Sequence, residues 1–365
     1  MKKKKLKNIC FIIILCLGGV YTFAQVKYSN EFLSIGVCAR SLAMGNAVSA
    51  STGDVTAGFW NPAGLSRIES GLQVAAMHTS WFSGVGNYDY VGLAKTLNNK
   101  QAISLGLIRF GVDGIPNTLS LVDENGEINY DRIKTFSAVD YGIFGSYARA
   151  LNNPNWRVGG SIKVVSRKIG TFANAIGFGV DLGIQHIGEK WFFGVMGKDI
   201  TTTFNTWKGT FSEADKEVLT ATGNDVVVKG TEITNPTIIL AGGIKTKVGK
   251  QGELLFELNL DATTDGKRNV LISADPISIN PHIGAEYRYK HLIFLRGGIN
   301  NIQQVTEVTS GKKTWTLQPN VGIGIGLGSV NIDYALTNIG NVSDTRLSHV
   351  FSLKLSLTPK DKSEE

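Results

Sequence analysis

The side chains that most often do chemistry are sparse and scattered in this chain. The five histidines, His78, His186, His282, His291 and His349, share no ligand spacing, so a metal centre has no support. No HExxH helix motif, no GxSxG elbow and no phosphate loop closing on Lys-Ser/Thr occurs. The run Asp123-Glu124-Asn125-Gly126-Glu127 resembles part of a calcium loop, but its Asn-Gly pair is more often a hairpin turn. The glycine-rich GIGIGLG from Gly322 to Gly328 alternates with Ile323, Ile325 and Leu327, which marks a strand face rather than a nucleotide loop. No cofactor, metal or enzymatic activity is expected. What remains is a charge in an unusual setting, Arg40 within the small-residue stretch ARSLAMGNAVSASTGDVTAGFWNPAGL at 39–65. Its chemistry depends on what surrounds it.

The surroundings begin with an address. Lys2, Lys3, Lys4, Lys5 and Lys7 precede an apolar run from Ile9 to Val20 that ends at Thr22-Phe23-Ala24, the pattern of a secretory signal peptide over 1–24. Removing those five positives lowers the formal net charge from +7 to about +2, which takes away the main support for a nucleic-acid partner. Cys10 and Cys16 fall in the same run and leave Cys38 alone, so no internal disulfide is expected. No later apolar stretch is long enough for a membrane helix. The choice is between a soluble exported protein and a membrane β-barrel.

From residue 71 onward the periodicity is two, which sends alternate side chains to opposite faces. Phe351, Leu353, Leu355 and Leu357 oppose Ser352, Lys354 and Ser356, and Ile279, Ile283, Ala285, Tyr287 and Tyr289 oppose Ser278, Asn280, His282, Glu286 and Arg288. About fourteen such segments can be counted: 71–81, 87–96, 101–112, 139–151, 156–168, 175–187, 190–200, 235–246, 252–262, 277–289, 291–300, 315–327, 329–338 and 347–357. Their length suits tilted membrane strands. In 139–151 and 190–200 apolar residues fall on both faces. Short links at 97–100, 152–155, 188–189, 247–251 and 328 are interspersed with longer ones at 113–138, 201–234, 263–276, 301–314 and 339–346, as periplasmic turns and extracellular loops would be. The expected fold class is all-β, a transmembrane outer-membrane β-barrel of about fourteen antiparallel strands over 71–357, with 358–365 as a periplasmic tail. The 43 glycines exceed the usual share, and many lie on polar faces, either to leave room inside or to let the sheet curve.

A barrel this wide needs filling. Residues 25–70 fit poorly as lipid-facing surface and are expected in the lumen as a plug or hatch, the alternative being a periplasmic lead-in. Arg40, Asn46, Asp54, Trp60, Asn61, Pro62 and Gly64 are its candidate residues. An intramembrane charge must find partners, and the inward carboxylates Asp181, Glu257 and Asp333 are the candidates for Arg40. Pro62 and Gly64 would turn the chain into the first strand.

At ARSLAMGNA and GDVTAGFWNPAGL the chain resembles the PorV/PorQ family of Bacteroidetes outer-membrane proteins, related in fold to the FadL fatty-acid transporters, fourteen-stranded barrels with an N-terminal hatch. GIPNTLSLVDENGEINYDRIKTFSAVDYG at 114–142 is similar to that family's long first-half extracellular loop. The resemblance covers essentially the mature chain, loosely toward its end, and the terminal TPKDKSEE departs from barrels that finish on an aromatic residue. It implies a role in type IX secretion, with a translocon, a sortase complex or C-terminal-domain cargo proteins as partners beside outer-membrane lipid. Ile115, Leu119, Leu121, Tyr130, Phe136, Phe204, Trp207 and Phe211, on the two longest loops, are the candidate extracellular binding surface; the same loops could be lids without partners. The rival expectation is a FadL-like transporter of a hydrophobic small molecule through a hatch-gated lumen.

Overall fold

The computed structural model describes residues 29–69, 71–81, 84–122, 126–224, 226, 229–306, 311–337 and 347–357. The expected signal peptide and C-terminal tail lie outside the described residues, as do Asp123, Glu124 and Asn125 of the acidic run. The strands are β1 (Leu72–Trp81), β2 (Gly86–Asn98), β3 (Gln101–Asn117), β4 (Lys134–Ala150), β5 (Trp156–Ile169), β6 (Ala173–Ile187), β7 (Trp191–Lys198), β8 (Thr203–Gly209), β9 (Lys229–Thr234), β10 (Thr237–Val248), β11 (Gly252–Thr263), β12 (Ser278–Tyr289), β13 (Ile293–Thr306), β14 (Lys313–Leu327), β15 (Val330–Thr337) and β16 (Ser348–Leu357). All pair antiparallel. β1 to β7 run round to β10 to β16, and β16 pairs back onto β1. The result is a closed barrel of fourteen strands, each on one of the fourteen segments expected from the sequence, with no free edge among them.

The alternation explains the closure. β16 leaves Phe351, Leu353 and Leu357 exposed at 57%, 40% and 50%, while Ser348 and Ser352 are buried. Ile323, Ile325 and Leu327 of β14 and Ile238 and Leu240 of β10 are likewise exposed on the outside. The inside holds Lys163, Asp181, Gln185, Glu257, Asn259, Glu286 and Asn320, all buried. An apolar exterior around a polar interior is the inverse of a soluble sheet and identifies an outer-membrane barrel wall, facing acyl chains. Among the described residues no helix is long and apolar enough to cross a membrane. The two strands with ambiguous faces are regular. Phe144 of β4 and Phe192 and Met196 of β7 point inward and are buried there.

One rim carries the short turns 99–100, 151–155, 188–190, 249–251, 290–292 and 328–329. The other carries 118–133, 199–236 and 264–277, but also the short links 82–85 and 170–172, so loop length segregates less completely than the sequence implied. The expected loop 201–234 contains structure of its own. β8 pairs with Ala173–Phe178 of β6, outward of the stretch Leu182–Ile187 that pairs with β7. β8 therefore extends β7, and β9, its partner, extends β10. Between them the chain breaks register at Asp199 and Thr202, both at positive φ (56° and 60°).

That break is pinned by charge. Lys163 Nζ lies 2.8 Å from Asp181 and 2.6 Å from Asp199, all three buried in the wall. The Asp199 amide donates to Asp181 at 2.7 Å, and the Thr203 hydroxyl donates to Asp199. A lone buried ammonium or carboxylate would be costly, so these groups hold one another in place.

Residues 29–69 lie inside the barrel. Asn205 of β8 donates to Ser29 and Asn30, each at 2.8 Å, and Asn30 donates to Thr234 of β9 at 2.9 Å. The segment then descends through a 3-10 turn (Glu31–Ser34) and two short helices (Ala39–Ala43 and Ala57–Trp60) to a 3-10 stretch (Pro62–Arg67) before β1. Glycines make the fit possible. A Cβ on Gly284 of β12 would lie 2.6 Å from the Met44 carbonyl oxygen, and one on Gly159 of β5 would lie 2.5 Å from the Pro62 carbonyl carbon. At these positions the bare inner wall is room for the segment.

Candidate functional site: the occupied lumen

The segment meets one wall through two carboxylates on paired strands. Arg40 donates from Nε to Glu286 at 2.9 Å and from Nη2 to Ser51 at 3.3 Å. Glu286 also accepts from Arg296 at 2.7 Å, and Arg296 reaches Asp333 at 2.6 Å. On the neighbouring strand Glu257 accepts the backbone amides of Ala50 at 2.7 Å and Ser51 at 3.1 Å. Arg40 thus takes none of the three carboxylates expected for it. Asp181 is held by Lys163, Glu257 by backbone amides and Asp333 by Arg296. Alternation says which carboxylates face inward; which rung Arg40 reaches is set by the path of an aperiodic segment.

The other candidate residues of the segment are also inside. Asp54 pairs with Lys354 of β16 at 2.7 Å and accepts from the Thr56 hydroxyl at 2.6 Å. Burial pushes the Asp54 carboxyl up, but Lys354 and Thr56 more than reverse this and hold it well below the usual range. Trp60 donates to the Val37 carbonyl at 3.1 Å and meets Phe59 edge-on. Asn61 donates to the Ile184 carbonyl at 3.3 Å and accepts from the Ala63 amide at 3.2 Å, capping the stretch that Pro62 opens. Gly64 is buried with no room for a Cβ beside the Thr52 carbonyl. Asn46 donates to the Ile35 carbonyl at 3.2 Å, while its own Oδ1 accepts nothing. Arg67, which the sequence did not single out, donates to the carbonyls of Ser51 at 2.7 Å and Thr52 at 3.0 Å. Burial and then the neighbouring Arg157 and Arg40 bring its guanidinium down to about 10.

The segment divides the lumen in two. Toward the long-loop rim lies a cavity of about 720 Å³, bounded by Phe59, Trp60, Trp81 and Phe110 and by Asn259, Asn280 and Asn300. Toward the short-turn rim lies one of about 740 Å³, bounded by Arg40, Arg67, Arg288, Lys290, Arg296 and Lys354 with Asp54, Glu286 and Asp333. The upper chamber is mixed aromatic and amide; the lower is predominantly cationic. Cys38 borders the lower one with its side chain buried, and burial raises its thiol well above the ordinary value.

The extracellular candidates do not form one surface. Ile115 pairs with Phe136 across β3 and β4, and Phe136, Phe172 and Phe211 stack in sequence at 5.0 and 5.7 Å. Trp207 lies under the guanidinium of Arg167 at 5.0 Å, and Arg167 borders the upper chamber. Phe204 and Tyr130 are exposed at 50% and 72%, and Leu119 and Leu121 are half-buried in the 118–133 link. Among the described residues no cluster of potential metal ligands occurs. The wall residues of the chambers, Asn259, Asn280, Glu286 and Arg296, were not singled out from sequence, although Asn280 and Glu286 stand on the polar face of a segment whose alternation was plain.

No protein-family model matches the chain, and no curated protein sequence is similar to it. Solved structures do share its architecture. The Pseudomonas putida toluene transporter TodX is 14% identical with a TM-score of 0.55, over 88% of this chain and 98% of that one. The Ralstonia pickettii toluene transporter TbuX, also 14% identical, gives 0.52 over the same shares. The CymD monoaromatic hydrocarbon channel gives 0.54 at 13% identity, over 89% of this chain and 98% of that one. At such identities the likeness is one of fold alone.

Proposed function

We propose that the chain is an outer-membrane channel for a small organic molecule, gated by displacement of its N-terminal segment. The observation that carries this reading is the division of one lumen into two open chambers by a segment that joins no strand ladder. Passage between the chambers requires rearrangement of short helices and turns and leaves every strand ladder intact. Breaking a ladder inside a bilayer would cost several kcal/mol for each unsatisfied backbone group; moving the segment exchanges side-chain contacts instead. The toluene transporters and the hydrocarbon channel of the same fold support a solute, as opposed to a secreted protein, as the cargo. The test is conductance in planar bilayers. Arg40→Ala is expected to conduct in long openings and the unaltered protein only in brief ones. Equal, negligible conductance from both refutes the gate.

Type IX secretion is the second reading, carried by the N-terminal resemblance and by the aromatic cluster Phe136, Phe172 and Phe211 at the outer rim. Purification of the tagged protein from its native host's outer membrane tests it. Co-elution of a translocon, a sortase or several proteins sharing one C-terminal domain supports it. Recovery of the barrel alone, where a known translocon partner stays bound in the same sample, counts against it.

A further inference from the structure

The two chambers differ in charge balance. Around the upper one Glu31, Asp140 and Asp261 are matched in number by Arg167, Lys198 and Arg268. Around the lower one six arginines and lysines face only Asp54, Glu286 and Asp333, and those three are engaged. Asp54 takes Lys354, Asp333 takes Arg296, and Glu286 is shared by Arg40, Arg296 and, at 3.3 Å, Arg288. Arg67 instead donates to backbone carbonyls, and the Lys290 ammonium lies 5.4 Å from the centre of the Tyr289 ring. Neither has a carboxylate partner among the described residues. The excess positive charge therefore belongs to the lower cavity, which reaches the short-turn rim at Lys290, His291 and Gly328.

Ser51 gathers two of these cations. Its hydroxyl accepts from Arg40 Nη2 at 3.3 Å and its carbonyl from Arg67 Nη1 at 2.7 Å. Glu257 holds the Ser51 amide but does not border this chamber. Burial, then the like charges of Arg157 and Arg40, lower the Arg67 guanidinium more than Asp54 and Glu257 raise it. Donors are left over. Nη1 of Arg40 and Nε and Nη2 of Arg67 bind no protein acceptor, and none of the three is occluded. A Cβ on Gly53 would lie 2.7 Å from Cζ and Nε of Arg67, so the bare backbone there keeps that edge of the guanidinium uncovered. Accessible guanidinium edges in a cavity of excess positive charge suit a ligand that is anionic and only accepts.

We propose that the lower chamber binds a small oxyanion, a carboxylate or phosphate group, held between Arg40 and Arg67 and drawn in past Lys290 at the rim. Arg40, Ser51 and Arg67 all belong to the N-terminal segment, so the site is complete while the segment is seated. It goes beyond the channel reading and does not depend on the gate. A neutral solute of the same shape leaves the excess charge uncompensated.

Isothermal titration calorimetry of the purified full-length protein, in an uncharged detergent at low ionic strength, tests this with inorganic phosphate, benzoate and benzyl alcohol. Saturable binding of phosphate or benzoate is expected, and none of benzyl alcohol. Phosphate alone assigns a phosphate group to the site, and benzoate alone a carboxylate. Arg67→Gln, whose side-chain amide can still donate to the Ser51 and Thr52 carbonyls, is expected to weaken anion binding about tenfold. Lys290→Gln removes a charge that holds no carboxylate in place and is expected to weaken it about twofold, which keeps the test open if Arg67→Gln fails to fold. Silence with both anions overturns the site. So does benzyl alcohol binding as tightly as benzoate, or unchanged anion affinity in the two variants. Failure of the gate shows elsewhere, as an Arg40→Ala protein that does not conduct, and leaves anion binding by the unaltered protein as it is.

Discussion

Glu286→Gln is the sharpest test of how the N-terminal segment is held. The substitution keeps shape and one acceptor oxygen but removes the charge that faces Arg40 at 2.9 Å and Arg296 at 2.7 Å. Arg296 retains Asp333 at 2.6 Å and Arg288, which also reaches Glu286 at 3.3 Å, retains Glu253 at 3.6 Å, so the loss falls mainly on Arg40, which keeps Ser51 Oγ at 3.3 Å. Breaking a buried ion pair by removing one partner costs about 3–5 kcal/mol. The lower end applies, because the substituted side-chain amide would still accept one bond and the Arg40 side chain is 18% exposed. About 3 kcal/mol corresponds to roughly a hundredfold larger population of the displaced segment. Cys38 reports that population directly, since it lies two residues from Arg40 and is buried while the segment is seated. The assay is maleimide labelling of Cys38 in the folded, reconstituted barrel. Labelling of Glu286→Gln is expected to be faster by about that factor, with the heat-modification midpoint of the barrel little changed. A labelling rate equal to that of the unaltered protein refutes the idea that this ion pair seats the segment.

Gly284→Ala places a methyl group 2.6 Å from the Met44 carbonyl oxygen; overpacking of this kind costs about 1–3 kcal/mol, and Cys38 labelling is expected to rise while the barrel midpoint stays nearly constant. Lys163→Met leaves Asp181 and Asp199 buried without their cation, a loss of about 3–5 kcal/mol, so its heat-modification midpoint is expected to fall clearly; an unchanged midpoint refutes the pinning of the β7–β8 break. Asp54 is held below its unfolded value of about 3.9, so its pair with Lys354 stabilises the seated segment above that pH and loses effect as pH falls below it. Cys38 labelling by an acid-tolerant disulfide reagent is therefore expected to accelerate below about pH 4, and Asp54→Asn to reduce that dependence, the Arg40–Glu286 pair contributing the rest; an identical profile in the variant counts against it.

The wall of this barrel was legible because lipid outside and polar contents inside impose the strictest form of period two. FSLKLSL and the GIGIGLG run each read as one strand, and each is one. The ambiguous segments 139–151 and 190–200 are explained by what they enclose. Phe144 lies against Phe59 at 5.6 Å, so an inward aromatic is in its place where the filling is apolar. The β8–β9 extension was hidden because seven and six residues are too few for periodicity to stand out within a loop. The partner of Arg40 and the amide patch of the upper chamber were illegible for another reason. Both depend on which rung of the wall each turn of residues 29–69 reaches, and that path carries no repeat. The sequence marked Arg40, Trp60 and Asn61 as candidate residues of the segment, and it could not give their heights in the barrel.

The N-terminal segment also ties the two ends of the polypeptide together. The Ala39 amide donates to Ser352 Oγ at 3.1 Å, and Lys354 reaches Asp54 at 2.7 Å, so residues some three hundred positions apart meet where β16 zips onto β1. That seam closes only when β16 pairs with β1. Until it does, the segment lacks part of its seat, and a half-built cylinder has no settled interior. Closing the wall is thus a precondition for seating the segment, while the segment can leave its seat with the wall still closed.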